Sequence, residues 1–512
     1  MGFFKKLNDN YFIYIILLFV LLPLNYIPQL WDGVSISYAF ETGNLSGIEI
    51  SLTEVGRYIH LYFFYFINFL TKYTTLPPEI IFDNLTIVFL ILFCIEVKKY
   101  SEFFFNLEKK WSNFAALFVA IFPVWHTLVA FDLGTYLSSF YFLLFGYRNF
   151  IKNKKINSYI GLLFVILSFE IQSNLSFVIG LAIVNLILYR LKVVSYFSYF
   201  KFILIVLCTI IYYLIRKFYF PSVGLESGGY PINLENLSFE YFNKNGLVQN
   251  IFNYSTYLLT FIWIPILFYL NLIFLNKKYF LINKIKINVN SFYKYFSKYI
   301  LLLILSAFAV FPYLLLGKSS SIFYLGDYYQ RHAFLLAPIS GIFFASMFRD
   351  LSLINNLKHK VNLKIYLIIF VLINLTLLNY GNYRKLESHF FRENLVVQLK
   401  EIGSIPRGNV ELFGKNIPAD LRPYEISYIF YKAYNLAGWW GKISNSLTSS
   451  EPPQVILKKE GYSTHSILND YKNECSIYVY LKNDLKKIDR IKKFYILNYK
   501  KHYNIDKILK KC

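Results

Sequence analysis

Acid is scarce in this chain. Against 53 lysines and arginines stand 30 aspartates and glutamates, which leaves a net charge of +23 over 512 residues. In a soluble protein such an imbalance points to nucleic acid. The motifs that would support that partner are missing. There is no zinc-finger spacing, no RNP-type sequence, and no Gly-x-x-x-x-Gly-Lys-Ser/Thr loop to cradle a phosphate. Cysteine is scarce too, with 4 in all, and none stands in a metal-type or redox-type spacing. Cys94 and Cys208 fall inside apolar runs and read as packing residues. Cys475 and Cys512 could pair if the C-terminal part is extracytoplasmic, but two cysteines do not make a disulfide framework. No internal repeat is present, and no low-complexity tract beyond a general bias to Lys, Ile, Asn and aromatics.

What is abundant is apolar surface. Hydrophobic residues make up 56% of the chain and the mean hydropathy is +0.42. Several runs reach the roughly 18–20 residues that a helix needs to cross a bilayer's hydrocarbon core. A polytopic, all-α membrane protein follows, and the basic residues fall between the apolar runs as cytoplasmic loops require. That accounts for the net charge without nucleic acid. Aromatic residues are 21% of the chain, suited both to interfacial belts and to packing between helices.

The charges predict a topology. Lys5 and Lys6 place the N-terminus in the cytoplasm, as in an uncleaved signal anchor, and the run 11–30 exits. A loop from Trp31 to Arg57 follows, containing Asp32, Glu41, Glu49 and Glu54 and no lysine. Segment 57–73 is aromatic but short and interrupted by polar residues, so it reads as a helix lying in the interface, within an external loop 31–78. Lys98, Lys99, Lys109 and Lys110 then require 79–97 to run inward. The remaining spans alternate over 113–130, 133–148, 156–171, 174–190, 200–218, 250–275, 299–317, 333–348 and 363–380. The count is about eleven spans with the C-terminus outside. Were 57–73 to cross, every later loop would invert and most lysine clusters would face out.

Residues 1–380 thus form a transmembrane domain, and 381–512 form a second, extracytoplasmic one of mixed charged and apolar sequence. In the latter, 409–414 and 476–482 read as strands and 417–441 as turn and helix, a small α/β or α+β domain.

In this topology the polar residues at external helix ends share one side. Asp32 follows the first span, Asp132 sits between the third and fourth, and Glu170 ends the fifth. Asp327, Arg331 and His332 precede the tenth, and Arg57 closes the first loop behind a glycine. Ionisable residues at membrane depth are costly and mark substrate paths. Each also has a plainer reading: Asp132 as a helix cap, Glu170 in a polar turn, Arg331 as a snorkelling cation, Arg57 as the seat of an interfacial helix. Jointly they suit group transfer from a lipid phosphate. A carboxylate takes the acceptor's proton. Cations neutralise the leaving phosphate, or a Mg²⁺ or Mn²⁺ ion held by Asp32 and Asp132 does so. The second external turn has no paired Asp-x-Asp, which weakens the metal version, and the spacing does not choose between inversion and retention.

The layout resembles the GT-C superfamily of integral-membrane glycosyltransferases, which use polyprenyl-phosphate sugars. Trp31-Asp32 just after the first span looks like the family's first-loop catalytic aspartate. Glu54-Val55-Gly56-Arg57 before an aromatic interfacial helix looks like the Gly-Arg feature of bacterial members, including the O-antigen glucosyltransferase type. Asp132 occupies the second external loop, where many members carry another acid, and Gln330-Arg331-His332 before Leu335-Leu336-Ala337-Pro338 is similar to the family's lead into a late helix. The lone Asp132, where metal-dependent members carry paired acids, departs from the pattern.

The resemblance implies a GT-C-like helical core in a bacterial plasma membrane. Asp32 would be the general base and Asp132 a second catalytic acid, with Arg57, Glu170, Asp327, Arg331 and His332 binding substrate. The donor would be a polyprenyl-phosphate sugar and the acceptor a lipid-linked or cell-surface glycan. Two alternatives share the membrane setting. An O-antigen-type polymerase or ligase carries catalytic arginines in large external loops, whereas 219–248 contains none. A lipid-glycan transporter calls for charges or Gly/Pro breaks at helix centres.

Overall fold

In a computed structural model of the chain, the described residues are 56–129, 131–152, 156–191, 197–220, 247–275, 289–315, 328–354, 360–405, 408–414, 423–435, 439–444, 476–482 and 504–511, with Leu421 and scattered positions in 33–53 and 318–326. The expected first span 11–30, with Trp31, Asp32 and Asp327, lies outside them.

Among the described residues the chain is mostly helical, with a few short strands. The helices are α1 (Tyr58–Thr74), α2 (Pro78–Phe105), α3 (Lys109–Ala120), α4 (Phe131–Lys152), α5 (Ile156–Leu167), α6 (Ser173–Arg190), α7 (Tyr199–Phe218), α8 (Leu247–Leu275), α9 (Val289–Leu315), α10 (Leu336–Ile354), α11 (Lys360–Ile402) and α12 (Pro423–Tyr434). The strands are β1 (Gly408–Gly414), β2 (Trp439–Ser444), β3 (Ser476–Lys482) and β4 (Asn504–Lys511). Five helices among the described residues are long and apolar enough to cross a membrane: α2, α6, α7, the 297–315 part of α9, and α11 from Leu363.

Local chemistry sets the helix ends. Pro78 opens α2 at its first position, where the missing N–H costs nothing. Asn106 closes α2 in the left-handed region at φ 49°. Ser198 caps α7 by accepting from the Lys201 amide at 3.3 Å. The expected single span 113–130 is not one helix. α3 stops at Ala120, and a 3₁₀ helix, Pro123–Val129, continues the path. Pro123 is the cause, since proline bars the α conformation from the residue before it and lacks an amide to donate. The 12 α-helical and 7 3₁₀ residues together cover about 32 Å, so the segment still has the length to cross.

Apolar side chains of α2 to α11 form one core. Where two helices approach closely, glycine makes the room. A Cβ on Gly146 of α4 would lie 2.6 Å from the Gly161 carbonyl of α5, so this hairpin packs backbone to backbone. Large apolar side chains outside the core face outward along α7, among them Phe200, Ile203, Leu207 and Ile211. α1 is amphipathic in a particular way. His60, Leu61, Phe64 and Ile67 are buried, while Tyr62, Tyr65, Phe66, Phe69 and Tyr73 are exposed. An aromatic outer face suits the membrane–water boundary.

Ion pairs and caps gather at the end of the bundle away from α1. Arg148 Nε donates to Glu96 at 2.8 Å, Lys99 also donates to Glu96, at 3.0 Å, and Lys201 Nζ caps the α4 C-terminus through the Phe150 and Ile151 carbonyls.

α11 does not stop at residue 380 as expected. It runs unbroken for 43 residues, about 64 Å, twice the thickness of a hydrocarbon core. Nothing breaks it before Gly403, whose φ of 85° ends it. Its apolar part, 363–380, has the composition of a span, and its charged continuation 381–402 leads to the sheet. There the order is β2-β1-β3-β4, with β1 parallel to β2 and β3, and β4 antiparallel to β3. Phe391, Leu395 and Leu399 of α11 and Ile426, Ile429 and Phe430 of α12 pack on Val410, Leu412, Ile477 and Val479 in a core of its own. Arg392 and Glu425 form a buried ion pair, Nε to Oε2 at 2.6 Å, that joins α11 to α12. Strands 409–414 and 476–482 stand where the alternation predicts them. Residues 439–441, expected to close the helical stretch, instead begin β2, and the lysine-rich 504–511 forms the edge strand β4, where lysines discourage further pairing.

His389 lies outside the apolar part of α11, and burial, then the charges of Arg392 and Lys432, hold its imidazole down to about 4. The folded state therefore favours neutral His389. The sheet unit should lose stability as pH falls from about 6.5 towards 4 and show no further loss from this group below that. His389→Gln should remove the dependence, on the order of 2 kcal/mol by linkage, as read by denaturant unfolding of the C-terminal part at pH 7 and pH 4.5.

Candidate functional site

The polar end of the bundle is built around the turn that leads into α1. Gly56 adopts φ 61°, and the Arg57 amide donates to the Leu52 carbonyl at 2.7 Å, so the chain turns sharply and releases Arg57 just ahead of the helix. The guanidinium of Arg216, in the last turn of α7, donates to the Gly56 carbonyl, and a Cβ on Gly56 would overlap that guanidinium. Only glycine fits here, on both conformational and steric grounds. Gly56→Ala should cost about 1–3 kcal/mol of local order. The amides of residues 59–61 should then exchange hydrogen at least about tenfold faster, measured by mass spectrometry, while those of α6 keep their rates.

Arg57 turns inward to α4. Its Nη2 donates to the Tyr136 hydroxyl at 3.0 Å, and its guanidinium carbon stands 5.3 Å from the centre of the Tyr136 ring. Glu170, in the 3₁₀ turn between α5 and α6, reaches the start of α1. Its carboxylate accepts from the Ile59 amide at 2.5 Å and the His60 amide at 3.1 Å. The chain provides no cap at Arg57 itself, so a distant carboxylate supplies it and meets the positive end of the helix dipole. Burial, then the charge of Arg57, holds His60 well below the usual histidine range, so it is neutral. Its Nε2 is 4.0 Å from Glu170, too far for a hydrogen bond, and the neutral ring forms no ion pair.

Arg57 and Arg216 thus both adjoin one turn, Arg216 through the Gly56 carbonyl and Arg57 by leaving it towards Tyr136. The cluster extends to the start of α10. Tyr313 of α9 donates to Ser173 Oγ at 3.1 Å, and the His332 ring lies 4.4 Å from the Tyr313 ring. Arg331 is half-buried and His332 buried, in the 3₁₀ helix Tyr328–Ala333.

Of the residues singled out from sequence, Arg57, Glu170, Arg331 and His332 therefore share one neighbourhood. Glu170 orders the helix that follows Arg57. Asp132 is the second residue of α4, in its first turn, with its side chain outside the described set. Among the described residues no group of three or more histidines, cysteines or acids is arranged to hold a metal ion. Asp32, Asp327 and the Asp132 carboxylate do not belong to that set.

Sequence reading missed Arg216, Tyr136 and Tyr313. Arg216 did carry a signal. It is a cation at the end of a span expected to run outward, against the positive-inside pattern. The tyrosines carried none in a chain with 46 of them. Chemically, two arginines beside one turn suit a phosphate or phosphodiester, because the planar fork of arginine matches two phosphate oxygens.

No protein-family model, curated protein or solved structure matches the chain.

Proposed function

We propose that this chain is a membrane glycosyltransferase of GT-C-like architecture. It would move a sugar from a polyprenyl-phosphate donor to a lipid-linked or cell-surface glycan on the outer face of a bacterial plasma membrane. The reading includes about eleven spans and an extracytoplasmic C-terminal domain. The observation that carries it is the turn at Gly56-Arg57, where Arg216 of α7 donates to the Gly56 carbonyl and Arg57 reaches Tyr136 just ahead of α1, whose exposed face is aromatic. A phosphate there would keep its lipid tail in the bilayer beside α1 and α7 while its sugar faced Arg331 and His332.

The reaction assigns each group a task. The acceptor hydroxyl oxygen bonds to the anomeric carbon, and the bond from that carbon to the phosphate oxygen breaks. Asp32 takes the hydroxyl proton. The electron pair leaves on the phosphate, where Arg57 and Arg216 neutralise the added charge. Glu170 holds the first turn of α1 so that Arg57 does not swing away. A divalent ion held by Asp32 and Asp132 would supply the same neutralisation in a metal-dependent version.

The test is direct. Purified protein in nanodiscs, given acceptor membranes and a panel of polyprenyl-phosphate hexoses, should release free polyprenyl phosphate and add single sugars. Products that grow by whole repeat units would instead indicate a polymerase, and movement of intact lipid across the bilayer without transfer would indicate a transporter.

A further inference from the structure

Three polar side chains from three distant segments meet in the protein interior, behind the arginine cluster. His126, in the 3₁₀ helix after α3, is wholly enclosed, and its Nε2 is within hydrogen-bond reach of both Gln330 Oε1 at 2.5 Å and the Gly326 amide at 3.4 Å. Lys385 of α11 is also wholly enclosed, and its Nζ donates to the Gly326 carbonyl. Two glycines make the approach possible. Gly326 sits at φ 103° against Arg384, and at Gly381 any side chain would overlap the His126 ring. The residues held in this way are Gly326 and Gln330, and the 3₁₀ helix Tyr328–Ala333 that contains Gln330 carries Arg331 and His332.

Burying an ammonium group is expensive, and a well-packed apolar residue in its place is often neutral or stabilising. What Lys385 adds is direction, because its hydrogen bond fixes one carbonyl at one place. We infer that Lys385 and His126 are positioning residues that lock segment 326–333 against α11 and thereby set where Arg331 stands. In the activity measurement below this rests on the proposed transferase reading; in the exchange measurement it does not.

Full-length wild type and Lys385→Met in nanodiscs are compared by hydrogen exchange. Amides of 326–334 should exchange at least about tenfold faster in the variant, with α2 and α6 unchanged. Equal protection of 326–334 in the two proteins overturns the inference. Should Lys385→Met fail to accumulate, His126→Gln serves for the same comparison. On transfer activity, Lys385→Met should lower kcat/KM by about 10–100-fold, and Lys385→Met with Arg331→Gln should be no slower than Arg331→Gln alone. Losses that multiply would mean that Lys385 does not act through Arg331, and would overturn that part. If wild type transfers no sugar from any donor in the panel, the proposed function fails, and the exchange result alone decides the lock.

Discussion

Asp32→Asn should lower sugar transfer by roughly a thousandfold while the protein inserts and accumulates as wild type does. The amide has the carboxylate's size and keeps a hydrogen-bonding oxygen, but it has no basicity with which to take a proton at neutral pH. The acceptor hydroxyl is a weak nucleophile until that proton is removed, so the loss should fall on kcat. In the proposed reading donor binding depends on the arginines, so it should survive. Asp32 follows the first apolar run directly and is preceded by Trp31, a side chain that anchors at the membrane–water interface. Full activity in Asp32→Asn, assayed with a lipid-phosphate sugar, would remove Asp32 from the chemistry.

The second large effect concerns the guanidinium pair. Arg57→Gln and Arg216→Gln should each lower kcat/KM by about 10²–10³-fold, the range seen when one donor to developing negative charge is removed. The double variant should lose less than the product of the two, because both groups serve one phosphate. Arg57→Lys should recover only part of the loss. Lysine keeps the charge but lacks the planar fork and the stacking on Tyr136. The two arginines should also differ. Arg216 donates to the Gly56 carbonyl and so shapes the turn itself, and its loss should loosen residues 56–60 in hydrogen exchange. Arg57 reaches Tyr136 through its side chain, so Arg57→Gln should raise that exchange less than Arg216→Gln does. Transfer that is insensitive to both substitutions would place the phosphate elsewhere.

How far the sequence could be read varies with the physics of each feature. Apolar length is additive and local, so membrane helices are legible from composition alone, and the α2 start at Pro77-Pro78 is written in its prolines. Strands β1 and β3 could be read from short alternating runs. What escaped depends on single residues or on distance. Pro123 divides an apolar run that hydropathy treats as continuous. The charged residues after 380 suggest a new domain, yet none of them breaks a helix, so α11 runs on to Gly403. β4 needs β3 as a partner before its lysines make sense as an edge.

The site divides in the same way. The expectation from charge that external helix ends share one side grouped Arg57, Glu170, Arg331 and His332, and the folded chain brings these four near one another. Their roles were not legible. That Glu170 caps α1 requires knowing that residues 110 and 111 positions apart in sequence touch. Arg216 and Lys385 sit inside stretches read simply as a helix and as the start of another domain, and only the folded chain brings each to a glycine carbonyl.

The proposed function requires that the turn at Gly56-Arg57 receive the phosphate of a membrane lipid. The measurement that tests it most directly is photo-crosslinking with a polyprenyl phosphate that carries a photoreactive group beside the phosphate, followed by peptide mapping. Label should fall on residues 56–62 and 212–218, the start of α1 and the end of α7, and be displaced by unlabelled polyprenyl phosphate. Label that is displaced in the same way but maps to the sheet unit or to the opposite end of the bundle, near Glu96 and Arg148, would contradict it.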